Sequence, residues 1–282
     1  MLSYLDGILT LWFILTAGSV MVLIWDFTTN TPLTRVMKLA WVLVILYTGP
    51  IGLLIYLLSC RQPMPGTHDA FIADHWKQAV GSLLHCVAGD ATGVIISAAI
   101  VHQFGLPNGL DLVIEYLSAF VAGLLVFQAL FMLAMYGGHY WLAVRKTFFA
   151  ETVSMNMVMV GMLPVMVVLM HTLPGANDPR HALFWGVMSL ATLAGMATAY
   201  PINSWLVAKG LKHGMLSAIP APRGTEKAAM AAAPSPTMQQ GHHGASLSRF
   251  QSLVVLLGTI AALAITVLVT AQFVPIRFCP GP

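Results

Sequence analysis

What most limits how this chain can fold is a series of seven apolar runs, at about residues 7–24, 36–58, 76–102, 112–136, 148–170, 183–207 and 250–273. An α-helix rises about 1.5 Å per residue, so roughly 20 apolar residues cross a hydrocarbon core of about 30 Å. In lipid a backbone amide finds no partner outside its own helix, so the runs are expected to be helical. Composition agrees: 8% of the 282 residues are charged, against about 25% in a soluble domain. The expected fold class is all-α, a polytopic membrane bundle of about seven transmembrane helices, with membrane lipid as its first partner. A net charge of +3 with no Lys/Arg cluster gives no footprint for nucleic acid. Three widely spaced cysteines, Cys60, Cys86 and Cys279, form neither a CxxC pair nor a disulfide framework. The N-terminus lacks a basic region and a cleavage site, so the first run reads as a retained helix.

Polar or Pro/Gly-rich joints separate the runs. The six-residue connection 106–111 predicts an antiparallel hairpin of the third and fourth spans. The expected organisation is a six-helix core over 1–215, a linker over 216–248, and a seventh helix with a short tail over 249–282. The linker is low in complexity and poor in apolar bulk, which predicts a flexible cytoplasmic segment with solvated His242 and His243. If all seven runs cross, the second, fourth and sixth connections hold nine Lys and Arg, against four on the other side. That predicts a cytoplasmic N-terminus and an external C-terminus in a bacterial inner membrane, with Arg35 and Lys38 on the wrong side.

Ionisable groups inside the spans carry the functional expectation. Asp90 lies roughly 20 Å from either end of the third run, where a carboxylate costs several kcal/mol unless paired, protonated or hydrated. Cys86 shares its face by i, i+4 spacing, and His85 lies beside it. Imidazole, thiol and carboxylate on one buried helix suit a metal ion; the plainer reading is polar packing between helices. The fifth run adds a thioether ladder, Met155, Met159, Met162, Met166 and Met170, with Glu151 one turn before it. Thioethers suit Cu(I), and equally they fill gaps in an apolar core. Only His85 lies deep within a span, so haem is not expected. No nucleotide loop, HExxH or Ser-His-Asp spacing is present, so hydrolytic or nucleotide enzymology lacks its parts.

The stretches His85-Cys86…Gly89…Gly93, 150–154 (Ala-Glu-Thr-Val-Ser) and 193–207 (Leu-Ala-Gly-Met-Ala-Thr-Ala-Tyr-Pro-Ile-Asn-Ser-Trp-Leu-Val) resemble a bacterial membrane family catalogued as domain of unknown function 4396, over about residues 76–215. Members of the family often carry a second Cys where Asp90 stands, an Asp at Val94 and an Asp at Glu151, so the resemblance does not imply a thiol pair here. Some members look as if they are joined to or sited beside copper proteins, which implies a copper connection. The leading expectation is binding or transport of a soft metal ion, copper above others. Its ligands would be His85 and Cys86, with Asp90 as a ligand or proton acceptor, Met155 and Met159 as thioether steps and Glu151 as a carboxylate at the cytoplasmic mouth. The alternatives are an accessory subunit of a larger membrane oxidoreductase, and a proton-coupled carrier using Asp90 and Glu115.

Overall fold

The computed structural model describes residues 2–133, 135–215 and 247–279. Most of the expected linker, with His242 and His243, lies outside the described residues. Among the described residues there are no strands, and seven helices are long and apolar enough to cross a membrane. They are α1 (Leu2–Thr29), α2 (Arg35–Ser59), α4 (His75–Val101), the run of α5 (Asn108–Phe120), a π segment (Val121–Gln128) and α6 (Ala129–Met132), then α7 (Tyr140–Thr172), α8 (Ala182–Ala208) and α9 (Arg249–Phe273). A short α3 (His68–Ile72) lies between α2 and α4.

α2 does not cross. Gly49 takes φ 58° and ψ −138°, a left-handed conformation open to glycine, and Pro50 follows it. The chain reverses there into two arms, 35–48 and 50–59. The Trp41 and Tyr56 rings lie 5.0 Å apart, whereas 15 residues of straight helix would separate them by about 22 Å. A Cβ on Gly52 would lie 3.3 Å from the Ile45 Cα. The arms are about 21 and 15 Å long, too short for a core of about 30 Å. α2 is thus a re-entrant hairpin, tolerated at membrane depth because protein surrounds its tip. The tip meets Trp12 and Thr16 of α1, and the Tyr47 and Thr92 hydroxyls bond at 2.8 Å.

Buried Asp26, near the end of α1, fastens the returning arm. It accepts hydrogen bonds from Arg61 Nε at 2.8 Å, Tyr56 OH at 2.5 Å, Thr31 Oγ1 at 2.5 Å and Asn30 Nδ2 at 3.2 Å. Both ends of α2 therefore lie beside the end of α1. This corrects the expected topology, because hydropathy counts apolar length and does not register a reversal at its middle. Six elements cross, so the starts of α1 and α4 lie at opposite faces, and the start of α1 and the end of α9 share one. Contacts agree: Leu9 packs on Gly186 near the start of α8, and Asn108 bonds to Pro275 and Arg277 beyond α9.

The basic residues then sort more cleanly. Arg35, Lys38, Arg61, Lys77, Arg145, Lys146, Lys209, Lys212 and Arg249 belong to one face, here the basic face; Arg180 and Arg277 are the described Lys and Arg of the other, the far face. Arg35 and Lys38 stop being exceptions.

α4 is the most deeply buried span, and α1 and α9 are the least. Small residues set its neighbours. A Cβ on Gly89 would lie 2.6 Å from the Gly123 Cα, and one on Gly93 would lie 2.7 Å from the Ala119 Cα, so α4 and the α5–π run meet almost backbone to backbone. α7 and α8 pack closely too: Gly161 faces Ala194, and Met162 sits over Gly195. α9 leans on α7 through Asn156 Nδ2, which donates to Thr259 Oγ1 at 3.1 Å.

Candidate metal centre

Cys86, Asp90 and Glu151 are each fully buried, and each offers a donor atom within 4.8 Å of the other two. Cys86 and Asp90 stand one turn apart on α4, some 16 and 22 Å from its basic-face end. Glu151 stands at matching depth on α7, about 16 Å in. Gly123 makes the convergence possible: a Cβ there would run into Asp90 Oδ1 and would lie 2.8 Å from Glu151 Oε1. Gly123 belongs to the π segment, an irregularity that often accompanies functional sites.

The Cys86 thiol donates to Glu151 Oε2 at 2.8 Å. Lys212 supplies the fourth member. Its ammonium hydrogen-bonds to the Cys86 sulfur, lies 3.4 Å from Glu151 Oε2 and donates to Asn203 Oδ1 at 3.1 Å. Asn203 is held in turn: Ser82 donates to its Oδ1 at 3.2 Å, and its Nδ2 donates to Ser154 Oγ at 2.7 Å. Both Asp90 oxygens and Glu151 Oε1 are buried without a hydrogen-bond partner. Three orphaned carboxylate oxygens at one point are costly unless a cation or proton joins them.

Lys212 gets there because the chain after α8 turns back into the bundle. Gly214 packs on Gln78, where an added Cβ would lie 2.7 Å from the Gln78 Cα, and Met215 packs on Gly81. The inserted segment 209–215 closes the site on the basic side.

His85 serves that segment. Its Nε2 lies 3.5 Å from the Gly214 carbonyl oxygen, and its ring stacks at 3.5 Å on Phe131. It points away from the donor cluster, since consecutive helical residues are about 100° apart, so the expected His85–Cys86 ligand pair does not form. Met155 and Met159 are buried in the apolar core on the Glu151 side of α7, one and two turns along. Glu115 is buried apart from Asp90, eight residues before Gly123, or about 12 Å along the helix. Lys212 is the residue sequence reasoning missed. A Lys just past a membrane helix reads as an orientation signal; the available clue was its pair of flanking glycines, Gly210 and Gly214, in an otherwise polar joint.

No curated protein and no solved structure matches the chain. Residues 75–212 match a family model, described as Domain of unknown function (DUF4396), and that segment holds Cys86, Asp90, Glu151, Asn203 and, as its last residue, Lys212.

Proposed function

We propose that this protein binds a thiophilic transition-metal ion, copper in the first instance, at Cys86, Asp90 and Glu151, and passes it through a bacterial inner membrane. One observation carries the reading: three buried donors converge on one point with carboxylate oxygens left unpartnered. A thiolate with two carboxylates suits a borderline divalent ion, and Met155 adds a thioether one turn from Glu151. Three anionic donors carry a charge of −3 once Lys212 swings away, so a divalent ion is balanced with one donor protonated and a monovalent ion with two. Lys212 is a tethered cation that fills this role when no ion does, and ion entry displaces it together with segment 209–215.

The test is a titration of the detergent-purified protein with Cu(I) under reducing conditions against a competing chelator, and with Co(II) as an optical probe. One ion per chain with a thiolate charge-transfer band is expected at the central site. A protein showing no such band and no chelator-resistant copper would sink the proposal.

The charge asymmetry of the two faces favours a cytoplasmic basic face, with the start of α1 and the end of α9 outside. A membrane-impermeant thiol reagent on intact cells should then label Cys279 and an Asp6→Cys variant equally, and label Asp69→Cys only after permeabilisation. Cys60 is a poor reporter, since burial pushes its thiol pKa far up. Protection of Asp6→Cys in intact cells would restore seven crossings.

A second reading, an accessory subunit of a larger membrane complex, has one observation in its favour. Gly7 and Gly18 on α1 and Gly258 on α9 have nothing packed against them, which leaves two helix faces smooth enough for a further helix.

A further inference from the structure

A separate group of ligand-type side chains sits at the far face. Asp178, between α7 and α8, lies between two imidazoles. His102 Nε2, at the end of α4, is 3.9 Å from its Oδ1, and His181 Nε2, at the N-cap of α8, is 3.7 Å from its Oδ2. The Arg180 backbone N–H donates to Oδ1 at 2.9 Å. Asp178 thus has a nitrogen donor on either side.

Inward of this trio, α5 carries Asp111 and Glu115 in a stripe at steps of four that continues to Ala119 and Gly123. The last two pack on Gly93 and Gly89 of α4, so the stripe faces α4. Asp111 is close enough to interact electrostatically with both His102 and Glu115. Asp111 Oδ1 and Glu115 Oε2 are buried without a hydrogen-bond partner, and Glu115 is only 6% exposed. Nitrogen donors at the surface thus give way to unpartnered carboxylates beneath, on the helix whose next turns reach the central cluster. Arg180 is the one cation in the group.

We propose that His102, Asp178 and His181 bind a divalent transition-metal ion at the far face, and that Asp111 and Glu115 form its first step towards Cys86, Asp90 and Glu151. The direction of travel rests on the central cluster being an ion site; the binding itself does not. The two imidazoles address different oxygens of Asp178, so both must turn towards one point to share an ion. Two ligands about 2.1 Å from a tetrahedral ion stand about 3.4 Å apart, close to the 3.9 and 3.7 Å of the two His–Asp pairs, and the partly exposed imidazoles have room to rotate. Two His and one or two carboxylates are a Zn(II)-type donor set, harder than the thiolate centre.

The donor difference makes the sites separable. Co(II) at Cys86 gives a thiolate charge-transfer band, and Co(II) on nitrogen and oxygen does not. The purified full chain should bind two Zn(II) ions by calorimetry. The double variant Asp178→Asn, His181→Ala, and His102→Gln independently, should lose one ion or weaken it at least tenfold while keeping the thiolate band. Cys86→Ser should lose the band and keep the far-face ion. These positions are partly exposed, so an unchanged thermal midpoint in metal-free buffer confirms folding. Full retention of Zn(II) by the folded far-face variants overturns the proposal, as does a Zn(II) stoichiometry in Cys86→Ser no greater than in the triple variant Cys86→Ser, Asp178→Asn, His181→Ala. A far-face ion without central binding would leave this inference standing and remove the central one.

Discussion

Cys86→Ser is expected to abolish tight binding at the central site. Outer-shell changes around a metal typically cost about 10- to 100-fold in affinity, and removal of the only thiolate should exceed that, because a hydroxyl does not replace a thiolate for a thiophilic ion. Lys212→Met should act in the opposite sense. It removes the ammonium that lies beside the Cys86 sulfur and 3.4 Å from Glu151, so the ion no longer competes with a tethered cation and should bind more tightly. The same change leaves Glu151 buried without its partner in the ion-free protein. Breaking a buried pair costs about 3–5 kcal/mol, so the thermal midpoint of Lys212→Met should fall without metal and recover with it, since binding stabilises the folded state. Ligation by Cys86 releases the thiol proton, so wild-type affinity should fall as pH is lowered. If the cluster only packs helices together, both variants lose stability, neither midpoint responds to metal, and the wild type shows no thiolate band. Thermal scans with and without Cu(I) separate the two.

The second large effect is expected at Gly49. A Cβ there would lie 2.6 Å from Thr16 Oγ1 and 3.0 Å from Trp12 Cζ2, at a backbone φ of 58°. Holding a β-branched residue in that region costs about 1–3 kcal/mol, and overpacking adds about 1–3 kcal/mol. Gly49→Val should therefore lower detergent-solubilised stability by roughly 2–6 kcal/mol, a drop large enough to see as lost folded yield. Gly18→Val is the control: it adds the same side chain to a neighbouring helix where nothing lies within 4 Å, and it should be nearly silent. Equal stability of Gly49→Val and wild type would mean that the chain does not reverse at Gly49.

The helical class and its apolar elements were legible because hydropathy over 20 residues is a strong, local signal. The reversal in α2 was not, because Gly49-Pro50 inside a membrane run also reads as a tolerated kink; only the misplaced Arg35 and Lys38 hinted at it. At the centre, i, i+4 spacing paired Cys86 with Asp90, but starting the fifth run at Phe148 put Glu151 at the cytoplasmic mouth, whereas the helix begins at Tyr140 and carries it about 16 Å in; depth also carries no azimuth. It could not say that His85 turns to Phe131 and Gly214, nor that Lys212 turns in.

The close approach of α4 to α5 also has a mechanical consequence. Gly89, Gly93, Ala119 and Gly123 present each helix with a surface that has no knob to catch on, whereas α7 and α8 are keyed together by Met162 over Gly195. The bundle therefore contains one interlocked pair and one plain bearing. Glu151 and Asn203 ride on the interlocked pair, and Cys86 and Asp90 ride on the bearing's fixed rail. Gly123, on the moving rail, fills the gap between the carboxylates. The residues one turn away on that face are Ala119 and Phe127, so a slide of one turn along that bearing, about 6 Å, puts a side chain beside the carboxylates where Gly123 now leaves room.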